Sequence, residues 1–381
     1  MEEFEVSIVM PCLNEEKSVG ICVSKALKVL RENKIKGEVV VADNGSTDNS
    51  VKIAAKAGAR VVFQHEKGYG NAYKKGFSEA KGKYIISADS DNTYDFLEAP
   101  KFLAELRKGY DFVIGTRLKG NIHRGAMPWL HRYIGNPLLS GVLNILFHTK
   151  ISDSHCGMRG FTREVYKKLN MKTTGMEFTS ELIVNASLNK LKMKEIPVNY
   201  YPREGEAKLR SFSDGWRHFR FMLLYSPNIV FIIPGLIIFI LGMLIEITLI
   251  STHIKIGRAA LGPVTMLLGA LLSIIGYQII IFGIFAKDFM VQNKFLKESR
   301  FMNDIMKRIT LEKGIIAGIL LILPSILINL IIVLKWIRID FKDLSFDDIE
   351  TAIFAITLFI FGVQTIFSSF LMSVLKIKIN N

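Results

Sequence analysis

The first 116 residues alternate apolar runs of strand length with stretches of helical periodicity. The apolar runs, each closed by polar residues, cover 6–14, 37–50, 59–64, 83–95 and 111–117. Helical patterns fill the intervals, most clearly up to about residue 32 and over about 70–80. Strands and helices that alternate at this spacing predict an α/β fold, with a mostly parallel sheet and helices on both of its faces.

The later part of the chain contains four apolar stretches long enough to cross a bilayer, which takes about 20 residues. They cover roughly 228–250, 260–286, 314–334 and 351–375. Glu246 is the one charged residue within them. Buried core helices are the alternative interpretation, but four such runs in one half of a chain favour a membrane domain over 228–381 with four transmembrane helices.

Two further segments have the composition of helices that lie in a membrane surface. Residues 212–227 place Trp216 and Phe219 beside Arg217, just before the first span. Residues 129–148 are apolar but too short and too interrupted to span. Aromatic and cationic side chains together are typical of helices at the headgroup level. We therefore expect an interfacial helix over 212–227 and a second surface-lying segment over 129–148.

Charge indicates the class of partner. Half of the 381 residues are hydrophobic and 22% are charged, which argues against a wholly soluble or a wholly membrane-embedded chain. The net charge is +14, and residues 117–226 carry 18 basic against 8 acidic residues, whereas residues 1–116 carry 17 of each. A basic block beside apolar spans indicates an anionic partner at the membrane surface. Nucleic acid is the competing partner, but no nucleic-acid-binding motif accompanies the block, so we expect none.

The loops between the spans predict the orientation. Residues 287–313 are basic and residues 337–350 are acidic. Basic loops stay on the cytoplasmic side, which predicts a multi-pass protein of the cell membrane with the first 226 residues and the C-terminus in the cytoplasm. The three cysteines, Cys12, Cys22 and Cys156, form no disulfide framework, in keeping with a reducing compartment.

Polar side chains follow several of the predicted strands at their carboxyl ends. They are Pro11 to Glu15, Asp43, Asp89 to Asp91, and Thr116 with Arg117. Because ligands of parallel sheets bind at that edge, we expect these residues to form one site. Two carboxylates one residue apart, Asp89 and Asp91, suit a Mg²⁺ or Mn²⁺ ion that also takes diphosphate oxygens. Solvated turn acids or helix caps are the alternative.

Five motifs together resemble the inverting family 2 glycosyltransferases of the GT-A fold: VSIVMPCLNEE, VVADNGSTDNS, SADSDNTYD, GTR and ISDSHCGMRGF. The segment YYPREGEAKLRSFSDGWRH and the four spans are similar to the polyprenyl-phosphate branch, that is, dolichyl-phosphate mannose or glucose synthases. The motifs cover about 6–226, and the membrane half matches in architecture alone. The resemblance implies a Rossmann-like GT-A domain over 1–211, with a nucleotide-sugar half (1–116) and a basic acceptor half (117–211).

The resemblance also implies roles residue by residue. The donor-binding residues would be Pro11, Asn14, Glu15, Asp43, Lys67, Gly68, Asp89, Ser90, Asp91, Arg203 and Lys208. The acceptor phosphate would bind to Arg117, Arg132, Asn136 and Arg203. The catalytic residues would be Asp89, Asp91, Asp153 and Arg117, with Asp89 and Asp91 as the metal ligands. Asn44 stands where many relatives carry a second acid, and Thr93 where mannose-type relatives often carry Gln.

The activity that the resemblance implies is transfer of one hexose or N-acetylhexosamine from a nucleotide sugar to dolichyl or polyprenyl phosphate. Thr93 favours a UDP-sugar, with GDP-mannose left open. A phosphate monoester has a second pKa of about 6 and is already an anionic nucleophile at pH 7, so such an acceptor needs cations rather than a general base. The sugar, the polyprenol and a possible homo-oligomer stay open.

Three alternatives remain at this point. A transferase that adds a sugar to a protein or to a lipid-linked glycan would share these motifs. A processive polysaccharide synthase would be expected to carry a Q-x-x-R-W segment, which Gly215-Trp216-Arg217 is not. A non-enzymatic membrane protein built on an inactive transferase would have lost the carboxylates, whereas Asp89 and Asp91 are present.

Overall fold

The computed structural model describes residues 4–205, 211–251, 255–256, 259–293, 295–296 and 310–375. The chain divides into two compact units, Met1–Met222 and Leu223–Asn381. The first unit contains the sheet and its flanking helices. The second contains the long apolar helices.

The described part of the first unit has seven strands and eight α-helices. The strands are β1 (Val6–Cys12), β2 (Gly37–Asp43), β3 (Arg60–Phe63), β4 (Tyr84–Ser87), β5 (Phe112–Thr116), β6 (Arg159–Thr162) and β7 (Met193–Pro197). The helices are α1 (Val19–Glu32), α2 (Ser50–Lys56), α3 (Tyr69–Glu79), α4 (Ala99–Arg107), α5 (Asn136–Phe147), α6 (Arg163–Leu169), α7 (Phe178–Leu188) and α8 (Ser211–Leu224), which begins in this unit. A 3₁₀ turn (Phe96–Glu98) precedes α4, and a π-helical turn (His131–Gly135) precedes α5.

The seven strands form one sheet in the order β3-β2-β1-β4-β6-β5-β7. Every neighbouring pair is parallel except the two that involve β6, which runs antiparallel to β4 and to β5. The predicted α/β fold with a mostly parallel sheet is therefore confirmed. Val6 lies opposite Gly37 and Cys12 opposite Asp43, so β1 and β2 end together at one edge of the sheet.

The strand boundaries decide where the polar residues lie. The apolar run predicted over 83–95 is a strand only as far as Ser87, and the residues that follow form a loop at the edge of the sheet. Within this loop Asp95 caps the 3₁₀ turn, since its Oδ1 accepts a hydrogen bond of 3.2 Å from the Leu97 N–H. Asp89 and Asp91 thus stand in a loop and not on a strand. The sequence pattern does not predict β6 and β7.

The described part of the second unit contains four helices long and apolar enough to cross a membrane, as predicted. They are α9 (Ile233–Ser251) with the turn Asn228–Ile232 before it, α10 (Pro263–Gln292), α11 (Leu311–Arg338) and α12 (Phe346–Leu375). Two-residue strands, β8 (Lys255–Ile256) and β9 (Ala259–Ala260), lie between α9 and α10. Helix α11 extends beyond its predicted span at both ends, α10 at its C-terminal end and α12 at its N-terminal end, because polar residues continue the helix there. Helix α10 begins at Pro263, three residues later than predicted.

Glycines allow the long helices to approach each other closely. A Cβ on Gly276 of α10 would lie 2.3 Å from the Phe239 nitrogen of α9, and one on Gly318 of α11 would lie 2.7 Å from the Gly362 oxygen of α12. Small residues at such contacts let helix backbones pack without intervening side chains.

The two segments expected at the membrane surface are helical, and each exposes large apolar side chains. In α8 Phe212 and Trp216 are 92% and 55% exposed, while His218 and Met222 on the other face are buried. In α5 Leu138 and Ile145 are 62% and 69% exposed. The described helix α8 ends at Leu224, three residues before the predicted boundary.

Candidate active site

The loop after β1 is tied to the loop after β2. Asp43 is buried, and its Oδ2 accepts hydrogen bonds of 3.0 Å from the Gly45 N–H and 3.2 Å from the Ser46 N–H. Asn14 has a left-handed backbone (φ 51°), and its Oδ1 accepts a bond of 2.8 Å from the Thr47 N–H. The polar turn that follows Asp43 is thereby held beside Asn14, as expected for one continuous site.

The Asp89–Asp91 loop is anchored on β1. The Ser90 hydroxyl donates a hydrogen bond of 2.6 Å to the Pro11 carbonyl. The Thr93 hydroxyl and the Thr93 N–H both donate to Asp91 Oδ1, at 2.6 and 3.1 Å. Thr93, which the sequence marks only as a difference from mannose-type relatives, therefore orients the Asp91 carboxylate.

Arg203 connects two of the predicted donor-binding acids. Its Nη1 lies 2.8 Å from Asp91 Oδ2, and its Nη2 pairs with Glu15 Oε1. The backbone just before Arg203 is also attached to the Asp89–Asp91 loop, because the Tyr201 N–H donates to the Thr93 carbonyl at 2.9 Å. The structure thus brings Glu15, Asp91 and Arg203 together from three distant parts of the chain. Lys208 lies outside the described residues.

Asp89 lies against two tyrosines that the sequence analysis did not single out. Asp89 Oδ1 accepts hydrogen bonds of 2.8 Å from the Tyr69 hydroxyl and 3.2 Å from the Tyr73 hydroxyl. Burial and the neighbouring Asp91 charge raise the pKa of Asp89 above its usual range. Tyr69 and Tyr73 are four residues apart on α3, a spacing that puts them on one helix face. That spacing is the signal by which they could have been found.

Gly157 packs against the other oxygen of Asp89. A Cβ on Gly157 would lie 2.7 Å from Asp89 Oδ2 and 2.9 Å from the Tyr94 ring. The Gly157 N–H donates a bond of 2.7 Å to the Tyr94 hydroxyl. The loop that contains Gly157 therefore forms one wall around the Asp89 carboxylate.

The glycine-containing loop before α3 is held by Asn44. The Asn44 amide donates to the Gln64 and Glu66 carbonyls at 3.0 and 2.8 Å, and its Oδ1 accepts a bond of 2.8 Å from the Gly68 N–H. Gly68 has a φ of 142°, and a Cβ there would lie 2.4 Å from the Thr174 carbonyl oxygen. Asn44 thus stabilises the loop before α3, at the position where many relatives have an acid.

Arg117 and Asp153 form a buried ion pair. Arg117 Nε and Nη2 donate to Asp153 Oδ2 and Oδ1 at 2.7 and 2.8 Å, and the Arg117 N–H donates to Oδ2 at 3.0 Å. Although burial disfavours a carboxylate, Arg117 holds the pKa of Asp153 below its usual range. Both Asp153 oxygens are engaged by Arg117, so the arrangement favours Asp153 as a group that orients Arg117 over Asp153 as a proton acceptor.

The remaining predicted acceptor residues are Arg132, on the π-helical turn before α5, and Asn136, the first residue of α5. The Arg132 guanidinium lies over the Tyr133 ring, 5.3 Å from its centre, and the Asn136 amide donates to Met127 Sδ at 3.6 Å. In the described part of the chain, neither Arg132 nor Asn136 forms a hydrogen bond or an ion pair with Arg117. Lys67, the other predicted cation on the donor side, is exposed.

Arg159 is a buried residue of the motif ISDSHCGMRGF for which the sequence analysis proposed no role. Its guanidinium donates to the Ser154, Cys156 and Thr179 carbonyls at distances between 2.7 and 3.0 Å. Arg159 therefore ties the loop between Asp153 and Gly157 to the start of α7. A buried arginine whose three guanidinium nitrogens each donate to a backbone carbonyl stabilises a fixed loop conformation.

The acids at the sheet edge suit a metal that arrives with a ligand. The described residues contain no group of three or more His, Cys, Asp and Glu side chains placed to hold a metal ion. Mg²⁺ at nucleotide sites uses one or two protein carboxylates and takes its other ligands from phosphates and water. Asp89 and Asp91 fit that donor set.

Comparison with known proteins identifies the family. The family model described as "Glycosyl transferase family 2" matches residues 7–169, and the model described as "Glycosyltransferase family 2 C-terminal transmembrane region" matches residues 284–376. The low-salt glycan biosynthesis hexosyltransferase Agl6 of Haloferax volcanii is 39% identical over 368 residues, which are 96% of this chain and 88% of that protein. The dolichyl-phosphate hexose transferase of the same organism is 33% identical over 214 residues, 55% of this chain and 89% of that protein.

Among solved structures, the glucosyl-3-phosphoglycerate synthase of Mycobacterium tuberculosis in complex with Mn²⁺, UDP and glucosyl-3-phosphoglycerate is 19% identical with a TM-score of 0.48. The match covers 58% of this chain and 80% of that one. The likeness that decides the family is the one to the Haloferax hexosyltransferase, because it extends over nearly all of this chain. The chain belongs to the family 2 glycosyltransferases.

Proposed function

We propose that the protein is an inverting, metal-dependent membrane glycosyltransferase that moves one hexose or N-acetylhexosamine from a nucleotide sugar to dolichyl or polyprenyl phosphate. A UDP-sugar is the favoured donor, and GDP-mannose is the alternative. The observation that carries the proposal is the meeting of Glu15, Asp91 and Arg203 at the carboxyl edge of the sheet, in a chain with four apolar helices. Acids and a guanidinium side by side are what a metal-bound diphosphate requires.

The names of two relatives support the class of donor and acceptor. One relative is a hexosyltransferase of glycan biosynthesis, and another is a dolichyl-phosphate hexose transferase that aligns with 55% of this chain. A hexose and a lipid phosphate are therefore the first substrates to test.

The donor half of the mechanism uses residues at the ends of β1, β2 and β4. In this proposal Asn14 and Asp43 hold the base and ribose, and the loop at Lys67 and Gly68 faces the diphosphate. Asp91, with Asp89 beside it, would hold Mg²⁺ or Mn²⁺, which when bound neutralises charge on the departing nucleoside diphosphate. Both acids are kept in place by neighbours, Thr93 for Asp91 and the α3 tyrosines for Asp89.

The acceptor half uses cations. A lipid phosphate monoester is dianionic over much of the physiological pH range, because its second pKa is about 6, so it attacks the anomeric carbon without a protein base. In this proposal Arg117, Arg132, Asn136 and Arg203 hold the phosphate in line with the bond that breaks. Asp153 keeps Arg117 oriented through their two-point contact.

The test uses full-length protein in detergent, dolichyl phosphate and Mg²⁺ or Mn²⁺. UDP-glucose, UDP-N-acetylglucosamine and GDP-mannose are offered separately, with and without EDTA. We expect one radiolabelled sugar to enter the organic phase from one donor and EDTA to stop the transfer. Release of nucleotide with no labelled lipid would refute the proposal that a lipid phosphate is the acceptor. Transfer that EDTA leaves unchanged would refute the proposed metal dependence.

A second candidate is sugar addition to a lipid-linked glycan, favoured by the 39% identity to a protein of glycan biosynthesis. The two candidates differ in the size of the product. A single-sugar lipid phosphate and an extended lipid-linked glycan migrate differently on a thin layer. Labelling that requires an added lipid-linked glycan, and fails with dolichyl phosphate, would favour this second function.

A further inference from the structure

Helix α8 has a residue that reaches into the interior of the first unit. His218 is buried on the face of α8 opposite the exposed Phe212 and Trp216. Its Nδ1 lies 2.9 Å from the Ser180 hydroxyl of α7. Its ring packs edge-on against the ring of His155, with the two centres 4.3 Å apart and the planes at 79°.

His155 belongs to the segment 153–157, here called the Asp153 loop. This loop begins with Asp153, which pairs with Arg117, and ends with Gly157, which packs against Asp89 Oδ2 and the Tyr94 ring. A shift of the loop therefore changes the surroundings of both Arg117 and Asp89. Since a Cβ on Gly157 would lie 2.7 Å from Asp89 Oδ2, the loop packs tightly against the Asp89 carboxylate.

The other apolar-faced helix also contacts the Asp153 loop. The Ser140 hydroxyl of α5 accepts a hydrogen bond of 3.0 Å from the Ser154 N–H. Asn144, one turn later, exchanges two hydrogen bonds with the Ile151 backbone, at 2.9 and 3.0 Å. The loop is thus held between α5 and α8, the two helices that the sequence predicts at the membrane surface and that expose large apolar side chains.

His155 and His218 are both neutral and contact each other as an aromatic pair. Burial lowers the pKa of His218 to about 4, with the Arg159 charge adding to the effect and Asp214 opposing it. Burial, and then His218, Arg117 and Arg159, hold the pKa of His155 well below its usual range. Two neutral imidazoles at this distance and angle attract each other like any edge-to-face aromatic pair.

We propose that His218 is a positioning residue, which through His155 holds the Asp153 loop against Asp89 in the geometry that sugar transfer needs. The inference rests on the proposed function for its reaction and on the histidine contact for its structure.

The test compares three variants of the full-length chain. His218→Ala removes the ring, His218→Phe keeps an aromatic ring against His155 but loses the bond to Ser180, and Met222→Ala removes a fully buried side chain one turn further along the same helix face. The measurements are kcat and KM for the nucleotide sugar, and amide hydrogen exchange of residues 153–157. Met222→Ala serves as the control for general loosening of α8.

We expect His218→Ala to lower kcat about 10- to 100-fold, the range that small misplacements of reacting groups produce, with little change in KM. Exchange in the Asp153 loop should accelerate. His218→Phe should retain most of the kcat, because the ring contact persists. Met222→Ala should lower the thermal midpoint while kcat stays near that of the wild type.

Three results would overturn the inference. They are an unchanged kcat in His218→Ala, unchanged hydrogen exchange of the loop in His218→Ala, and a loss of kcat in Met222→Ala as large as in His218→Ala. A wild type that transfers no sugar from any donor refutes the proposed function instead. In that case the exchange comparison still decides whether His218 holds the loop.

Discussion

Arg203 is the side chain that unites the candidate active site. It is 188 residues from Glu15 and 112 from Asp91 in sequence, and it contacts both. A cation between two acids lowers the cost of bringing their like charges together. A guanidinium also binds phosphate well. In the proposed reaction the Arg203 guanidinium therefore contacts the phosphate of the substrate with the N–H groups that here pair with Glu15 and Asp91.

The first prediction concerns Asp91, whose carboxylate is oriented by Thr93 and paired with Arg203. We expect Asp91→Asn to reduce sugar transfer about 100-fold or more, because the amide lacks the charge that holds a metal–diphosphate group. Thermal unfolding should stay within a few degrees of the wild type.

The matched control for Asp91→Asn is Glu32→Gln at the exposed end of α1. Glu32 Oε1 lies 3.8 Å from Lys28 Nζ on the surface, and such exposed ion pairs contribute little to stability. The transfer rate of Glu32→Gln should equal that of the wild type. An active Asp91→Asn enzyme would remove Asp91 from the proposed site.

The second prediction compares two glycines with positive φ. A Cβ on Gly68 would lie 2.4 Å from a backbone oxygen, whereas a Cβ on Gly109 (φ 93°) would meet no described atom within 4 Å. Gly109→Ala should therefore show only the backbone strain, about 1–2 kcal/mol. Gly68→Ala should in addition displace the loop and weaken nucleotide binding about tenfold or more, as measured by calorimetry.

The two alanine variants separate strain from contact. Equal nucleotide affinities in Gly68→Ala and Gly109→Ala would mean that the Gly68 loop does not face the nucleotide. The comparison works because both substitutions put alanine at a left-handed backbone position, and only one of them collides with a neighbour.

At the scale of elements, α8 contributes a pH dependence to stability. The pKa of His218 is about 4 in the folded protein and about 6.5 for an ordinary histidine. Between these values the unfolded chain binds a proton that the folded chain does not, so stability falls as the pH falls from about 6.5 to about 4. The difference is on the order of 3 kcal/mol at most.

The third prediction follows from that difference. The thermal midpoint of the wild type should fall more steeply between pH 7 and pH 4.5 than that of His218→Phe, which has no proton to bind at this position. Unfolding followed by intrinsic fluorescence in detergent measures both slopes. Identical slopes would show that His218 is not buried as described.

At the scale of the whole molecule, the predicted orientation can be tested because the three cysteines, all within the described residues, are buried. A cysteine placed at exposed Asp343, between α11 and α12, or at exposed Lys108 in the first unit would offer the accessible thiol. We expect an impermeant maleimide to label Asp343→Cys in intact cells and Lys108→Cys only after the membrane is opened. The reverse pattern would contradict a cytoplasmic first unit.

The regular part of the architecture could be predicted because its signals are local. β1 and β2 contain the apolar runs 8–12 and 39–42, buried on both faces, and the four apolar helices are recognisable by their length and composition. β6 and β7 have no such signal. β6 has four residues and begins with Arg159, and β7 places Lys194 and Glu195 side by side. Each becomes a strand because it pairs with β5.

The candidate site divides in the same way. Asp43, Asp89 and Asp91 are recognisable as candidate acids from their spacing and their position at predicted strand ends, and the α/β class and the four spans are recognisable from local patterns. That Tyr69 orients Asp89 and that His218 reaches the Asp153 loop is visible in the folded chain alone. Periodicity and length act between near neighbours, whereas these contacts depend on the path of the chain between elements that are far apart in sequence.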